Sequence, residues 1–287
     1  MEIFDTPEAM REWSRAQRRA GRTIAVVPTM GALHEGHRAL VAEAHARSDR
    51  TIVTIFVNRL QFNRTTDFDS YPRPIDDDLM ICEQLGVHAV YAPSAASMYP
   101  TGFQTHVAPG DLADRLEGPN RPGHFRGVTT VVTKLFGATA PDVAVFGQKD
   151  YQQLAIVRRM SLDLDLGVEI VGVPTVRDPD GLAMSSRNRL LSAEDRVAAS
   201  IVWRALRAAC DAYLRGERDA DAIRTEATAV VAAEPRAELE YLEVVDPDTL
   251  EPLRTATAGS VVLAAVWFGD VRLIDNVVIG AAGPPLS

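Results

Sequence analysis

The chain has 287 residues, a formal net charge of −9 at pH 7, 46% hydrophobic and 24% charged residues, and two cysteines. At about 150 residues per domain this length predicts roughly two domains, enough chain to bury a core without disulfide or metal staples. The acidic balance argues against broad nucleic-acid binding, which relies on Lys and Arg neutralising phosphates, and no apolar run approaches the length that spans a bilayer.

In chain order, a helix is predicted from about Pro7 to Ala20, then a strand from Thr23 to Val27 that stops at the turn Pro28-Thr29-Met30-Gly31. A helix follows over His37 to Arg47, with Leu40, Val41 and Ala44 on one face. The apolar run Thr51 to Val57 reads as a strand buried on both sheet faces. Next come a helix over Asp76 to Leu85 with acid at its start, a strand over Val87 to Ala92, and a Pro- and Gly-rich loop from Pro93 to Gly110. Helix Gly127 to Thr139, strand Val143 to Phe146, helix Tyr151 to Asp163 and strand Val168 to Val173 complete an alternation that means βαβ units and a parallel sheet.

The pattern changes near Pro174. Helices over Ala193 to Arg215 and Asp219 to Glu234 come in succession, followed by strands Leu239 to Val245, Ser260 to Phe268 and Val271 to Ile279. The last two meet at Phe268-Gly269-Asp270-Val271, a hairpin signal. The predicted fold is therefore α/β, with a Rossmann-like parallel-sheet N-terminal domain over 1–175 and a smaller α+β C-terminal domain over 176–287. From Val176 onward there are 12 Arg, no Lys and 18 acidic residues, a balance of −6, so no nucleic-acid-gripping appendage is expected there. Residues Gly280 to Ser287 read as a frayed tail.

Cys82 and Cys210 fit no CxxC pair or disulfide framework, which predicts reducing, cytoplasmic surroundings. The opening MEIFDTPEAMREW has no basic stretch followed by an apolar one, so no secretory leader is expected. Among the 30 basic residues only Lys134 and Lys149 are Lys. Coding bias accounts for abundant Arg; it also makes a surviving Lys a candidate for a position where Arg does not fit, with chance retention as the alternative.

The sharpest segment is Pro28 to His37, PTMGALHEGH, at the end of the first predicted strand and the start of a helix. Ligands bind outside the carboxyl ends of strands in open α/β sheets, and helix N-termini offer N–H groups to anions. Glycines permit close backbone approach, so the two histidines mark a phosphate site. A zinc reading fails on spacing, because HExxH needs His at i and i+4 and these stand at i and i+3; two ordinary exposed His in a turn is the plainer alternative. The chain holds no Walker A or GxGxxG motif.

Phe146-Gly-Gln-Lys-Asp-Tyr-Gln-Gln-Leu154 again lies where a strand ends and a helix begins. Lys149 there suits a point charge between phosphate oxygens; a solvated lysine is the alternative, unfavourable at a helix start. Lys134, inside a helical pattern, reads as a surface or snorkelling residue. Asp180 to Arg189 places two hydroxyls and an Arg after a Gly, as a loop closing over phosphates requires. Asn58 and Gln61 follow a buried strand and can hydrogen-bond a small polar ligand. Asp76-Asp77-Asp78 offers carboxylates to Mg²⁺ or complements the start of its helix.

Together these segments resemble the pantothenate synthetase (pantoate–β-alanine ligase) family, within the wider nucleotidyltransferase group that carries a His-x-Gly-His turn. The resemblance rests on MGALHEGH (30–37), IFVN..QF (55–62), YPR..DDDL (71–79), HFRGV (124–128), FGQKDYQQL (146–154) and DGLAMSSRN (180–188), in the family's order over nearly the whole chain. It implies ATP-dependent conversion of (R)-pantoate to pantoyl adenylate and pyrophosphate, then attack by β-alanine to give pantothenate and AMP. It implies catalytic roles for His34, His37, Lys149, Ser185, Ser186 and Arg187. ATP contacts would fall on Met30, Gly31, Ala32, Leu33, His34, Glu35, Gly36 and His37, on Gly147, Gln148, Lys149 and Asp150, and on Val176 and Met184 to Arg187. Gln61 and Gln153 would hold pantoate with Asn58 nearby, Gln61 would also meet β-alanine, and Asp77 would meet Mg²⁺. The partners implied are these small molecules and a second copy of the chain, with no nucleic acid and no membrane.

Two positions depart from the family pattern. Arg59 stands where Pro commonly follows Asn58, which removes a fixed φ and predicts a looser loop around Gln61. Gln148 stands where some members have Glu, a change expected to be tolerated because Lys149 follows. Two other functions stay open at this point. A nucleotidyltransferase joining a phosphate ester to AMP would release pyrophosphate without forming an amide. A non-catalytic nucleotide-binding module would bind ATP without turnover, although retention of both His, Lys149 and the serine loop argues against it.

Overall fold

The computed structural model describes residues 1–280; of the predicted tail, 281–287 lie outside the described residues. The chain divides into two units, one of Met1–Gln148 with Gln152–Pro174, the other of Lys149–Tyr151 with the chain from Thr175 onward.

The first unit is a six-stranded parallel sheet. Its strands are β1 (Glu2–Phe4), β2 (Ile24–Thr29), β3 (Arg50–Ile55), β4 (Ala89–Tyr91), β5 (Val143–Gly147) and β6 (Glu169–Val173), in the order β1-β4-β3-β2-β5-β6. The edge strand β1 was not legible in the sequence, being three residues long with only Phe4 partly buried. Strand β2 runs through Pro28 to Thr29, beyond the predicted stop. Its pairing with β5 covers only Ala25 and Val26, so the N–H that Pro28 lacks removes no bond on that side.

Helices α1 (Pro7–Arg19), α2 (Glu35–Arg47), α3 (Thr65–Ser70), α4 (Ile75–Gln84), α5 (Ala95–Met98), α6 (Glu117–Asn120), α7 (His124–Thr139) and α8 (Tyr151–Asp163) join the strands. Thr6 caps α1 and Pro7 opens it, while Arg18 and Arg19 meet the negative end of its dipole. Met10 and Trp13 of α1, Val128, Val131, Val132 and Leu135 of α7 and Leu154 and Val157 of α8 share one apolar core with sheet residues Ile24, Val26, Ile52 and Phe146. Leu40, Val41 and Ala44 of α2 and Cys82 of α4 share a second with Ala25, Val27, Val53 and Val145. Alternate residues of β2 thus serve different cores, which is the continuous apolar pattern of a parallel sheet.

Lys134 is half-buried, in keeping with the snorkelling reading. Its ammonium lies 5.9 Å from the ring centre of Tyr99 and 5.3 Å from that of Phe103, a cation over two aromatic faces. Burial pushes the Cys82 thiol up to about 12 and the Cys210 thiol up to about 11, so both are inert.

The second unit carries helices α9 (Ala193–Ala198), α10 (Ile201–Leu214) and α11 (Ala220–Ala232) and the antiparallel strands β7 (Glu238–Val245), β8 (Val261–Phe268) and β9 (Val271–Val278), in the order β7-β8-β9. Val202, Leu206 and Ala209 of α10 pack with Ile223 and Ala227 of α11 on Val262, Ala264 and Val266 of β8. The single helix predicted over Ala193 to Arg215 is broken into α9 and α10. There the Ser200 hydroxyl bonds Val197 O at 3.1 Å, and Val202 N reaches only back to Ala199 O, tightening the turn.

Candidate active site

The sheet order reverses between β2 and β5, the switch point at which open α/β sheets leave a crevice beyond the strand ends. The histidine turn leaves the carboxyl end of β2, and Gly147-Gln148 leaves that of β5.

At the end of β2, the Thr29 hydroxyl donates to Thr54 O at 2.7 Å and accepts from Gly31 N at 3.1 Å. Gly31 has φ +81° and Ala32 φ +52°. A side chain at Gly31 would meet Asp78 Oδ2 at 2.7 Å, so the turn needs glycine there. Asp78, 1% exposed, accepts the N–H groups of Ala32 and Leu33 at 2.8 Å each. The acidic triplet is therefore divided: Asp78 turns inward to fold the 31–33 backbone, and Asp76 and Asp77 stay exposed in the first turn of α4. The N–H groups of Ala32 and Leu33 are committed to a carboxylate, so backbone donation to an anion does not come from them.

Helix α2 starts at Glu35 rather than His37 because His34 is its cap. His34 Nδ1 accepts from Gly36 N at 3.1 Å and His37 Nδ1 accepts from His34 N at 3.2 Å, a reciprocal capping box built from imidazoles. The rings lie 4.2 Å apart, centre to centre. With both Nδ1 atoms accepting from the backbone, each neutral ring carries its proton on Nε2. The helix start thus presents imidazole donors. Glu35, exposed, pairs with Arg38 at 3.0 Å.

The loop after β3 carries Asn58 and Gln61 on a tight turn, Arg59–Gln61. Asn58 Nδ2 donates to Gln61 Oε1 at 2.9 Å and to Gly127 O at 3.1 Å. Gln61 Nε2 lies 3.2 Å from Met30 Sδ, so the amide loop and the histidine turn meet. His124 Nδ1 engages Gln61 O at 2.7 Å. A side chain on Gly127 would meet Leu60 O at 2.4 Å, which explains the glycine at the start of α7. The side chain of Arg59 is anchored within this loop. Its guanidinium donates to Phe62 O at 2.8 Å and to Thr65 Oγ1 at 3.3 Å, and lies 5.3 Å from the centre of Phe68. These contacts tie the Arg59 side chain to the segment that follows it.

Gln148 and Asp150 flank Lys149 in a tight turn after β5. Gln152 is buried and fully engaged, donating to Leu112 O and Arg115 O and accepting from Glu117 N. Gln153, one residue on, is half-buried.

In the second unit, Met184 N bonds Val176 O at 2.9 Å and Asp178 N bonds Leu182 O at 2.8 Å, closing a small hairpin that delivers Ser185, Ser186 and Arg187. Ser185 Oγ caps the short turn Ser186–Leu190 by accepting from Arg187 N at 3.3 Å. Arg177 lies 3.8 Å above the Trp203 ring, pairs with Asp275 through both terminal nitrogens and donates to Gly181 O at 3.1 Å. Gly181, φ +90°, leaves room for that ring; a side chain there would come within 1.9 Å of it. Asn276 Nδ2 donates to Lys149 O at 2.9 Å. Lys149, Ser185, Asn188 and Asp275 line one cavity of about 10 Å³, room for a single water. Asn188 Oδ1 has no hydrogen-bond partner there.

His124 and Gly127 in the first unit and Arg177, Asp275 and Asn276 in the second hold candidate residues in place without having been singled out for that in the sequence, and Asp78 was marked there only as one of three alike carboxylates. HFRGV carried His124 and Gly127 as a motif, but nothing local in the sequence says that they clamp a loop more than 60 residues upstream.

Residues 2–278 match the model of the family described as pantoate-beta-alanine ligase. The pantothenate synthetase of Trichlorobacter lovleyi is 50% identical over 280 residues, covering 98% of this chain and 99% of that protein. That of Roseiflexus sp. is 52% identical over 259 residues, 90% of this chain and 93% of the relative. The crystal structure of pantothenate synthetase from Thermus thermophilus superposes with a TM-score of 0.91 at 43% identity, over 96% of this chain and 99% of that one. A pantoate-beta-alanine ligase from Francisella tularensis, solved with beta-gamma ATP and beta-alanine, gives 0.79 at 32% identity over 97% of each chain. With a whole-length family match and relatives about half identical, the chain belongs to the pantoate-beta-alanine ligase family.

Proposed function

We propose that this chain condenses (R)-pantoate with β-alanine to pantothenate, activating the acid as pantoyl adenylate at the expense of ATP. The observation that carries the reading is the contact between the turn that bears His34 and His37 and a buried amide pair from the loop after β3. That arrangement suits an anion beside a small hydroxylated acid.

In the first step a pantoate carboxylate oxygen bonds to the α-phosphorus, the α–β P–O bond breaks, and pyrophosphate leaves with the bonding pair. Charge grows on phosphate oxygens, so fixed donors rather than a covalent nucleophile lower the barrier. His34 and His37 donate through Nε2. Lys149 neutralises the departing pyrophosphate, and Ser185, Ser186 and Arg187 hold the β- and γ-phosphates. Gln61 and Gln153 hold pantoate, with Asn58 fixing the first of them. In the second step the β-alanine nitrogen, met by Gln61, attacks the acyl carbon; the C–N bond forms, the acyl–O bond to AMP breaks, and the nitrogen gives up a proton.

Mg²⁺ enters as part of the ATP substrate. Among the described residues no three His, Cys, Asp or Glu side chains converge on a common point. Asp77 would offer the ion one carboxylate, with phosphate oxygens and water as the ligands a hard cation accepts. A homodimer working in the cytoplasm completes the proposal. The test is pantoate-dependent exchange of labelled pyrophosphate into ATP without β-alanine. Exchange that requires β-alanine would sink the adenylate step, and AMP formed without an amide product would sink the ligase reading.

A further inference from the structure

We infer that Tyr99 is a positioning residue that decides which end of the Gln61 amide faces the acid substrate. The inference rests on the function proposed above and adds to it a residue outside every motif of the sequence.

Asn58, 1% exposed, is oriented by two backbone groups of fixed polarity. Leu60 N–H can only donate and lies 3.4 Å from Oδ1; Gly127 C=O can only accept and lies 3.1 Å from Nδ2. The Leu60 contact is long, and the short bond to Oδ1 comes from the Tyr99 hydroxyl at 2.8 Å. With Oδ1 drawn to Tyr99, Nδ2 points to Gln61 and donates to Oε1 at 2.9 Å. Gln61 then has its carbonyl engaged and turns its NH₂ toward Met30 Sδ, 3.2 Å away. A thioether is a weak acceptor, so an incoming oxygen takes over that N–H at little cost. The reverse orientation of both amides would set Asn58 Oδ1 against Gly127 O and turn the Gln61 carbonyl toward a carboxylate substrate.

The tyrosine ring is itself fixed. Phe56 and Phe103 lie 6.1 and 5.0 Å from it, centre to centre, and the Lys134 ammonium sits 5.9 Å from its centre. Burial holds the phenol above its ordinary pKa, so it stays a donor. Lys134 thus acts at one remove, through the ring that orients the amides.

Tyr99→Phe removes one oxygen and leaves these ring contacts in place. Its KM for pantoate is expected to rise about 5- to 30-fold, with KM for ATP within about two-fold, kcat falling less than KM rises, and a melting temperature lowered by no more than about 4 °C. Asn58→Asp is the second variant: an acceptor facing Gln61 forces its NH₂ inward and its carbonyl outward. Inhibition by the carboxamide analogue of pantoate should then strengthen relative to pantoate binding. A wild-type KM for pantoate in Tyr99→Phe, or equal rises in both KM values, overturns the inference. Wild-type protein without pantoate-dependent exchange removes the proposed reaction and this inference with it; normal exchange with an unaltered Tyr99→Phe profile removes the inference alone.

Discussion

Asn276 holds the main chain of Lys149: its side-chain amide donates to Lys149 O at 2.9 Å. The residue before it, Asp275, pairs with Arg177, which also donates to Gly181 O at the base of the serine loop. Two consecutive residues of β9 therefore restrain both cationic pieces of the second unit. The Arg177–Asp275 pair is 11% and 4% exposed in its side chains. Buried pairs of this kind contribute little net stability against an apolar substitute but are costly to break from one side. Its use here is placement of the 176–184 hairpin.

Lys149→Ala should lower kcat by about 10²- to 10³-fold, the usual scale for losing one stabilising donor at a developing anion, with an unchanged melting temperature. Asn276→Ala keeps the ammonium but frees its backbone anchor, and should lower kcat about ten-fold. Steady-state kinetics beside thermal melts would settle both; full activity in Asn276→Ala refutes the anchor.

Asp78→Ala strips two buried N–H groups of their acceptor and should cost about 2–5 kcal/mol in urea unfolding. Asp78→Asn retains one acceptor oxygen and should lose less. A Mg²⁺-dependent rescue of either variant would contradict the purely structural role assigned to this carboxylate.

Gly36→Ala tests the imidazole cap. The new methyl would stand 2.8 Å from His34 Cε1 and 3.0 Å from its Nδ1, so the ring must turn away. Alanine favours the helix by about 1 kcal/mol over glycine, so stability should hold or rise while kcat falls at least about ten-fold. Activity equal to wild type would show that the His34 orientation is not needed.

Acid should loosen the second unit through Arg196. Its guanidinium bonds Asp180 and Asp178, and that contact holds the Asp180 carboxyl below the usual range. A depressed folded pKa gives stability that is present above the unfolded value near 3.9. That stability is lost as pH falls from there through the lower folded value. Arg196→Met should therefore raise the midpoint of acid unfolding while changing stability at pH 7 by less than about 1 kcal/mol. Circular dichroism from pH 7 down to pH 2 measures it, and superimposable acid curves would count against the clamp.

Residue type and spacing carried the alternation of strands and helices, because a parallel sheet buried on both faces must be built from continuous apolar runs. They carried the histidine turn and the lysine turn for a related reason: strand ends in such a sheet open onto a ligand crevice. They were silent on the partners of Lys134 and Arg59. Whether a cation lies over aromatic rings or against a carbonyl depends on partners the chain brings in from elsewhere, Tyr99 and Phe103 for one, Phe62, Thr65 and Phe68 for the other.

The acidic triplet marks the same limit. Three adjacent aspartates read alike in sequence, and only the docking of α4 beside the β2 turn singles out Asp78 to bind Ala32 and Leu33. From sequence came the fold class, the family and the candidate phosphate-facing residues, since each rests on local pattern. How the Asn58 and Gln61 amides are turned, which carboxylate is spent on the backbone and what holds Lys149 came from folding. Hydrogen-bond polarity is settled by neighbours in space, and those neighbours here lie 41, 46 and 127 residues away along the chain.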